Sequence, residues 1–146
     1  MTKIEMTELI LVAKNKKKKS WTQISEAVGL SEVFITSACL GQNSVDAETA
    51  KKLCKFLSLP PAVEKGLRDY PMKGQTEYAM KDPLIYRFLE MIYVYGPTFK
   101  ELIQEKFGDG IMSAIDYTAY LEKVEDPKGD RVKITMCGKF LPYKKW

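Results

Sequence analysis

Apolar positions recur with a helical period through the first half of the chain. Ser20, Ser31 and Asp46 each stand where a capping residue accepts a hydrogen bond from the first turn of a helix. Gly29 ends one helix and Pro61 opens another. The pattern predicts a bundle of five helices, over residues 2–18, 20–28, 31–40, 46–59 and 61–68.

The first helix carries a loose apolar stripe, which we expect to face the core: Ile4, Leu9, Leu11 and Val12. Its end, residues 14–19, contains five lysines interrupted by one asparagine. Such a run is typical of a solvated helix end, where cations also suit the negative end of the helix dipole.

A segment of little periodicity, 70–80, follows the bundle and contains Pro71 and Gly74. Proline and glycine in a segment without a repeating apolar pattern are typical of a linker. We therefore predict two domains, a helical bundle at 1–75 and a second domain at 76–146.

The second domain begins with two predicted helices. Asp82 caps the first, which we expect to end at Gly96-Pro97, and Thr98 begins the next, which runs to Phe107. The first of these helices is apolar nearly all round, and a small domain cannot bury one helix on every side. We therefore expect other copies of the chain to cover it.

From Ile111 the apolar period changes from 3.6 to 2, which indicates a strand. Residues 126–129 have proline second and glycine fourth, as in a type I turn, and a return strand follows. A two-stranded hairpin alone is marginal in water, so we expect it to intertwine with strands of another copy. The predicted fold class is α+β.

Composition narrows the chemistry. The chain has no histidine, which excludes imidazole bases and histidine metal ligands, and its net charge is a mild +4. Cys39, Cys54 and Cys137 are odd in number and far apart, which indicates reduced thiols in an intracellular protein and no zinc site. We expect no metal, no other cofactor, no signal peptide and no membrane span.

Three residues could form an anion site. Arg87 offers a planar fork of donors that matches carboxylate-like anions, and Glu90 lies one helical turn away, where it can hold the guanidinium or handle a proton. Ser113, three residues after the end of the Gly-Asp-Gly turn 108–110, offers a hydroxyl, and backbone amides near the glycine turn could form an anion nest. An arginine–glutamate pair at this spacing is more often a surface ion pair, and a serine after a glycine turn is often only a turn residue.

Residues 86–117 closely resemble the catalytic region of the cyanases (cyanate hydratases), and the similarity continues through 126–132 and 138–143. The resemblance implies a bicarbonate-dependent, metal-independent decomposition of cyanate to ammonia and carbon dioxide through carbamate. It implies that Arg87, Glu90 and Ser113 are catalytic. It also implies a cytoplasmic decamer of five dimers whose sites combine several subunits. Asp116 is a difference, since many members have asparagine there.

Two alternatives are a non-catalytic assembly protein that has kept the fold, and a helix-turn-helix regulator that binds DNA and carries a C-terminal oligomerisation domain. A helix, a turn at Gly29 and a second helix have that shape. The would-be recognition helix, 31–40, has no Lys, Arg, Asn or Gln, and its first turn presents Glu32, which repels phosphate. We therefore expect no nucleic-acid partner.

Overall fold

A computed structural model describes residues 1–71, 73 and 80–146. The fold is α+β, as predicted. Most of the predicted linker, and the predicted domain boundary between residues 75 and 76, lie outside the described residues, so that boundary stays a prediction. In chain order the described elements are α1 (Lys3–Lys16), α2 (Trp21–Val28), α3 (Glu32–Cys39), α4 (Ala47–Leu57), α5 (Pro61–Arg68), α6 (Pro83–Phe107), β1 (Gly110–Val124) and β2 (Arg131–Pro142).

Side-chain caps begin the bundle helices at the predicted residues. The hydroxyls of Ser20 and Ser31 and the carboxylate of Asp46 each accept a hydrogen bond from the backbone amide three residues on, at 3.1, 3.2 and 2.8 Å. The amide of Thr49 and its hydroxyl both donate to Asp46 and lower the pKa of that carboxyl. Each cap satisfies an amide that has no partner within its own helix.

The apolar core of the described residues lies within α1–α5 and the α3–α4 connection. The predicted inner stripe of α1 is wrong, because Ile4 and Val12 are largely exposed whereas Met6 and Ile10 are fully buried. Met6 and Ile10 are four residues apart and therefore lie on one face of the helix. The predicted stripe contained neither of them. The core side chains are Met6, Ile10, Ile24, Val28, Ile35, Ala38, Cys39, Val45, Ala50, Leu53, Cys54, Leu57, Val63 and Leu67.

Lysines of the run 14–19 contact other residues of the bundle, which a fully solvated helix end would not do. Lys17 donates from Nζ to the hydroxyl of Ser58 at 2.7 Å, at the C-terminal end of α4, where a cation is favoured by the helix dipole. The ammonium groups of Lys14 and Lys19 lie 5.0 and 5.3 Å from the ring centroids of Trp21 and Phe56. These lysines therefore stabilise the bundle as well as solvating it.

The helix α6 is one continuous helix, so the predicted break at Gly96-Pro97 is wrong. Proline disfavours a helix partly through a clash with the side chain before it, and Gly96 has no Cβ to clash. Tyr95 and Phe99, two residues before and two residues after the proline, lie on one face of the helix, and their ring centroids are 6.4 Å apart. The glycine thus makes the proline tolerable inside the helix.

Strands β1 and β2 form the predicted antiparallel hairpin. The Asp126 carboxylate accepts from the Lys128 amide at 2.8 Å and from Arg131 at 2.6 Å, and these donors hold the pKa of Asp126 below its usual value. The chain divides into two compact units, and each unit contains a part of the hairpin. Residues 119–135 group with 1–73, whereas the base of the hairpin, in 110–118 and 136–142, groups with α6.

Candidate functional site

The ion pair of Arg87 and Glu90 lies on α6, in the turns after the Asp82 cap. Asp82 accepts from the amides of Leu84 and Ile85, both at 2.9 Å, and so fixes where the helix begins. Arg87 Nη1 donates to Glu90 Oε2, as the spacing of three residues predicts. The Arg87 side chain keeps 67% of its surface exposed, so its other donors remain open to an anion.

Ser113 lies in β1 and is buried, with 6% of its surface exposed. Its hydroxyl oxygen accepts hydrogen bonds from the backbone amides of Ile115 at 3.1 Å and Asp116 at 2.9 Å. A serine hydroxyl has two acceptor positions and one proton to donate. With both acceptor positions filled, the hydroxyl is left as a donor. The nest of amides near the glycine turn stays a prediction.

A second charged pair lies close to Ser113. The carboxylate of Asp116 is 4.0 Å from Nζ of Lys139 on β2, and both side chains are mostly exposed. Sequence reasoning did not single out Lys139, because nothing along the chain shows which lysine faces Asp116 across the hairpin. The Asp116 carboxylate thus has a cation beside it.

The structure brings Arg87 and Glu90 together but does not join Ser113 to either of them by a hydrogen bond. Along a straight helix, Arg87 and Phe107 are about 30 Å apart. The chain from Phe107 to Ser113 can span at most about 22 Å when fully extended. The Cα atoms of Arg87 and Ser113 of one chain are therefore separated by about 8 Å even if the chain turned straight back.

Other chemistry is sparse in the described residues. In that part of the chain, no three side chains among Asp, Glu, Cys and His gather where they could hold a metal ion. The thiols of Cys39 and Cys54 are buried in the bundle, and burial raises the pKa of Cys39 to about 12 and that of Cys54 to about 11. Among the described helices, none is long and apolar enough to cross a membrane.

Comparison with known proteins decides the family. One protein-family model, cyanate hydratase N-terminal, matches residues 3–71, and another, cyanate lyase C-terminal domain, matches residues 77–145. The chain belongs to the cyanate hydratase family. It is therefore an enzyme of the lyase class, as the resemblance implied.

Individual relatives of this cyanate hydratase family agree over the full length. The chain is 56% identical to the cyanate hydratase of a Marinomonas species and 52% identical to that of Teredinibacter turnerae, each over 100% of both chains. The crystal structure of cyanase from T. urticae matches with a TM-score of 0.84 at 36% identity, covering 94% of this chain and 96% of that one. The α+β fold is thus that of a solved cyanase.

These cyanate hydratase relatives give no support to the DNA-binding alternative. The first turn of α3 is also unsuited to a groove, because Glu32 and Val33 line a pocket together with Tyr120 and Glu122 of the hairpin. A DNA-reading helix needs donors and positive charge at that turn. Here it presents one carboxylate and lies beside another.

Proposed function

We propose that this chain catalyses the bicarbonate-dependent decomposition of cyanate. Bicarbonate attacks the cyanate carbon, and the adduct takes up one proton and divides into carbamate and carbon dioxide. Carbamate then takes up a proton and divides into ammonia and a second carbon dioxide. Cyanate decomposition follows from membership of the family, whereas bicarbonate as the co-substrate and independence from metals are our proposals.

The observation that carries the proposal is the exposed guanidinium of Arg87, held by Glu90 on a capped helix. The two substrates are both small anions that repel each other, so the main task is to hold them together. A guanidinium stays charged at every working pH and presents several donors in a fixed plane. Glu90 orients it and is placed to exchange a proton with the reacting groups.

Ser113 supplies a neutral donor in the same proposal. Because its oxygen already accepts two backbone hydrogen bonds, its proton has a defined direction before substrate arrives. A donor fixed in advance stabilises developing negative charge without reorganisation during the reaction. This role needs no deprotonated serine, which suits a chain without histidine.

We further propose that a complete site combines more than one copy of the chain. Arg87 lies near the start of α6, and Ser113 lies beyond its end, so one chain brings them to the same anion only if the segment after Phe107 turns back along the helix. The helix α6 has no buried residue within one chain, so its Arg87 and Glu90 are open to Ser113 of a neighbouring copy.

The surface of α6 supports assembly. None of its 25 residues is buried within one chain, and Leu84, Ile92, Tyr93, Val94 and Phe107 are all more than half exposed. An apolar surface of this extent marks an interface. We propose a homo-oligomer, a decamer of five dimers in the cytoplasm, and a monomeric mass in light scattering would contradict it.

The test is ammonia release from cyanate, measured with and without added bicarbonate in a buffer that contains a metal chelator. The proposal predicts release that requires bicarbonate and is unchanged by the chelator. Release that continues at the full rate without added bicarbonate, in a buffer from which carbon dioxide is continuously removed, would overturn the co-substrate. Loss of release on chelation would overturn metal independence. A folded oligomer that releases no ammonia under any of these conditions would overturn the activity itself.

A further inference from the structure

The backbone of β1 turns sharply at Ser113. A regular strand advances about 3.3 Å per residue, so the amide three residues on would lie about 10 Å away. Instead, the amide of Asp116 lies 2.9 Å from the Ser113 hydroxyl oxygen, and that of Ile115 lies 3.1 Å from it. The strand is therefore bent locally, as at a bulge, and the bend sets the direction of the Ser113 side chain.

Gly138 lies against this bend on the neighbouring strand. A Cβ atom built on Gly138 would meet the carbonyl oxygen of Ser113 closer than van der Waals contact permits, and would lie 2.6 Å from Cγ of Met112. The methionine side chain can move aside, but the Ser113 oxygen belongs to the backbone. A residue with a side chain at this position would have to push the two strands apart at Ser113.

The need for glycine here is one of space and not of backbone conformation. Gly138 does not have a positive φ. Gly129, at the hairpin turn, is the opposite case, because its φ is 119° and a Cβ built there would touch nothing within 4 Å. One glycine serves a close approach of two strands, and the other serves a left-handed turn.

We propose that Gly138 is a positioning residue for Ser113. Its missing side chain lets β2 lie directly against the bent backbone, and this contact keeps the hydroxyl oxygen on the amides of Ile115 and Asp116 and the hydroxyl proton directed at the substrate. The catalytic part of the inference rests on the proposed function, but its structural part does not. An isolated glycine inside a strand pattern is the sequence signal for such a contact.

The first test does not depend on activity. Hydrogen exchange resolved at Ile115 and Asp116 is compared in the intact wild-type protein, in Gly138→Ala and in Gly129→Ala. Both amides are expected to exchange about tenfold faster or more in Gly138→Ala and at the wild-type rate in Gly129→Ala, which strains the same hairpin elsewhere. Unchanged exchange in Gly138→Ala would overturn the proposal.

The second test separates positioning from general damage. Gly138→Ala is expected to lower kcat/KM by about 100-fold, the scale of a misplaced catalytic group. Added to Ser113→Ala, it should cost little more, because its effect passes through the hydroxyl that is already gone. Equal losses in both backgrounds would overturn the positioning role. A wild-type protein without turnover would instead defeat the proposed function and leave the exchange result to decide the role of Gly138.

Met112 provides the final discriminating variant. Replacing it with alanine removes the flexible neighbour of a new Cβ at position 138 but leaves the Ser113 carbonyl oxygen in place. Met112→Ala should therefore not restore activity or amide protection to Gly138→Ala. Restoration would show that the methionine, and not the approach to Ser113, requires glycine at this position.

Discussion

The bundle α1–α5 and the helix α6 are both rich in large apolar side chains, but they bury them differently. The bundle encloses side chains such as Leu53 and Ile35 completely within one chain, whereas α6 has no buried residue. Helices of eight to fourteen residues, four of them with a side-chain cap at the start and the fifth with a proline there, can pack on one another around a core. One helix of 25 residues, apolar on most of its circumference, needs partners from outside the chain.

Because of this difference, the residues that stabilise the fold and the residues proposed for catalysis lie in different regions of the chain. The proposed catalytic residues are on α6 and β1, outside the region that holds the core. A part of the chain that is completed by assembly can bring groups from different copies to one point, which a self-contained bundle cannot do. Substitutions in the two regions should accordingly affect different measurements.

The largest expected effect is on turnover, in α6. Arg87→Ala should abolish cyanate decomposition, with a loss of at least about 1,000-fold, because the anion loses its charged donor fork. The oligomeric mass should not change. The matched control is Arg131→Ala, which removes an arginine of equal side-chain exposure, 67%, from the ion pair with Asp126 at the hairpin turn. Near-normal turnover in Arg87→Ala would remove this residue from the site.

A pair of leucines tests the contrast in burial directly. Leu53→Ala should lower the free energy of unfolding by about 2–5 kcal/mol, because it leaves a cavity in the bundle core. Leu102 on α6 is 45% exposed in one chain, so Leu102→Ala should act mainly on assembly and lower the mass on dilution. Denaturant unfolding and light scattering across protein concentrations measure both. Equal effects of the two variants on unfolding would break the comparison.

Ser113→Ala should raise the barrier to turnover by about 2–4 kcal/mol, the scale for one lost preorganised donor. The expected loss in kcat is therefore about 30- to 1,000-fold, with the assembly unchanged. Steady-state kinetics with both substrates give the value. A loss smaller than about threefold would reduce Ser113 to a turn residue and would confine the proposed chemistry to α6.

The last effect is a pH dependence confined to the bundle, and it is small near neutral pH. Unfolded thiols ionise near pH 9.0, whereas burial raises the pKa of Cys39 to about 12 and that of Cys54 to about 11. The unfolded state alone therefore loses protons as pH rises above 9.0, so stability falls towards pH 12. The fall measured by denaturant unfolding should be shallower when both cysteines are replaced by alanine. Leu53→Ala provides the control, because it opens a cavity in the same core without removing a thiol and should leave the slope unchanged.

Sequence reasoning was most successful where the chemistry is local. Caps at Ser20, Ser31 and Asp46 depend on a side chain and an amide three residues away, and all are present. The spacing of Arg87 and Glu90 likewise gave their ion pair. The continuity of α6 through Pro97 was not predicted. A proline was expected to end the helix, and the absence of a clash with Gly96, which has no Cβ, was not considered.

Contacts between distant residues could not be predicted in the same way. The bend that turns two amides towards Ser113, and the cation beside Asp116, depend on which residues face each other across the hairpin. The hydroxyl of Ser113 indicated a possible anion site, but its proposed catalytic role came from resemblance to a family. Whether the three proposed residues act together stays a prediction, because no hydrogen bond in one chain joins Ser113 to Arg87 or Glu90.

The proline within α6 has one more consequence, for what can lie against that helix. Pro97 has no N–H, so the carbonyl of Tyr93, one turn earlier, loses the donor that a helix would otherwise give it. A carbonyl deprived of its donor must find one elsewhere when water is removed. A surface that covers this stretch therefore has to bring an N–H or O–H group to the Tyr93 carbonyl, or leave a water there. A partner surface that was shifted along α6 by one helical turn would place its donor away from this carbonyl. The need for that donor therefore favours one position of the partner along the helix.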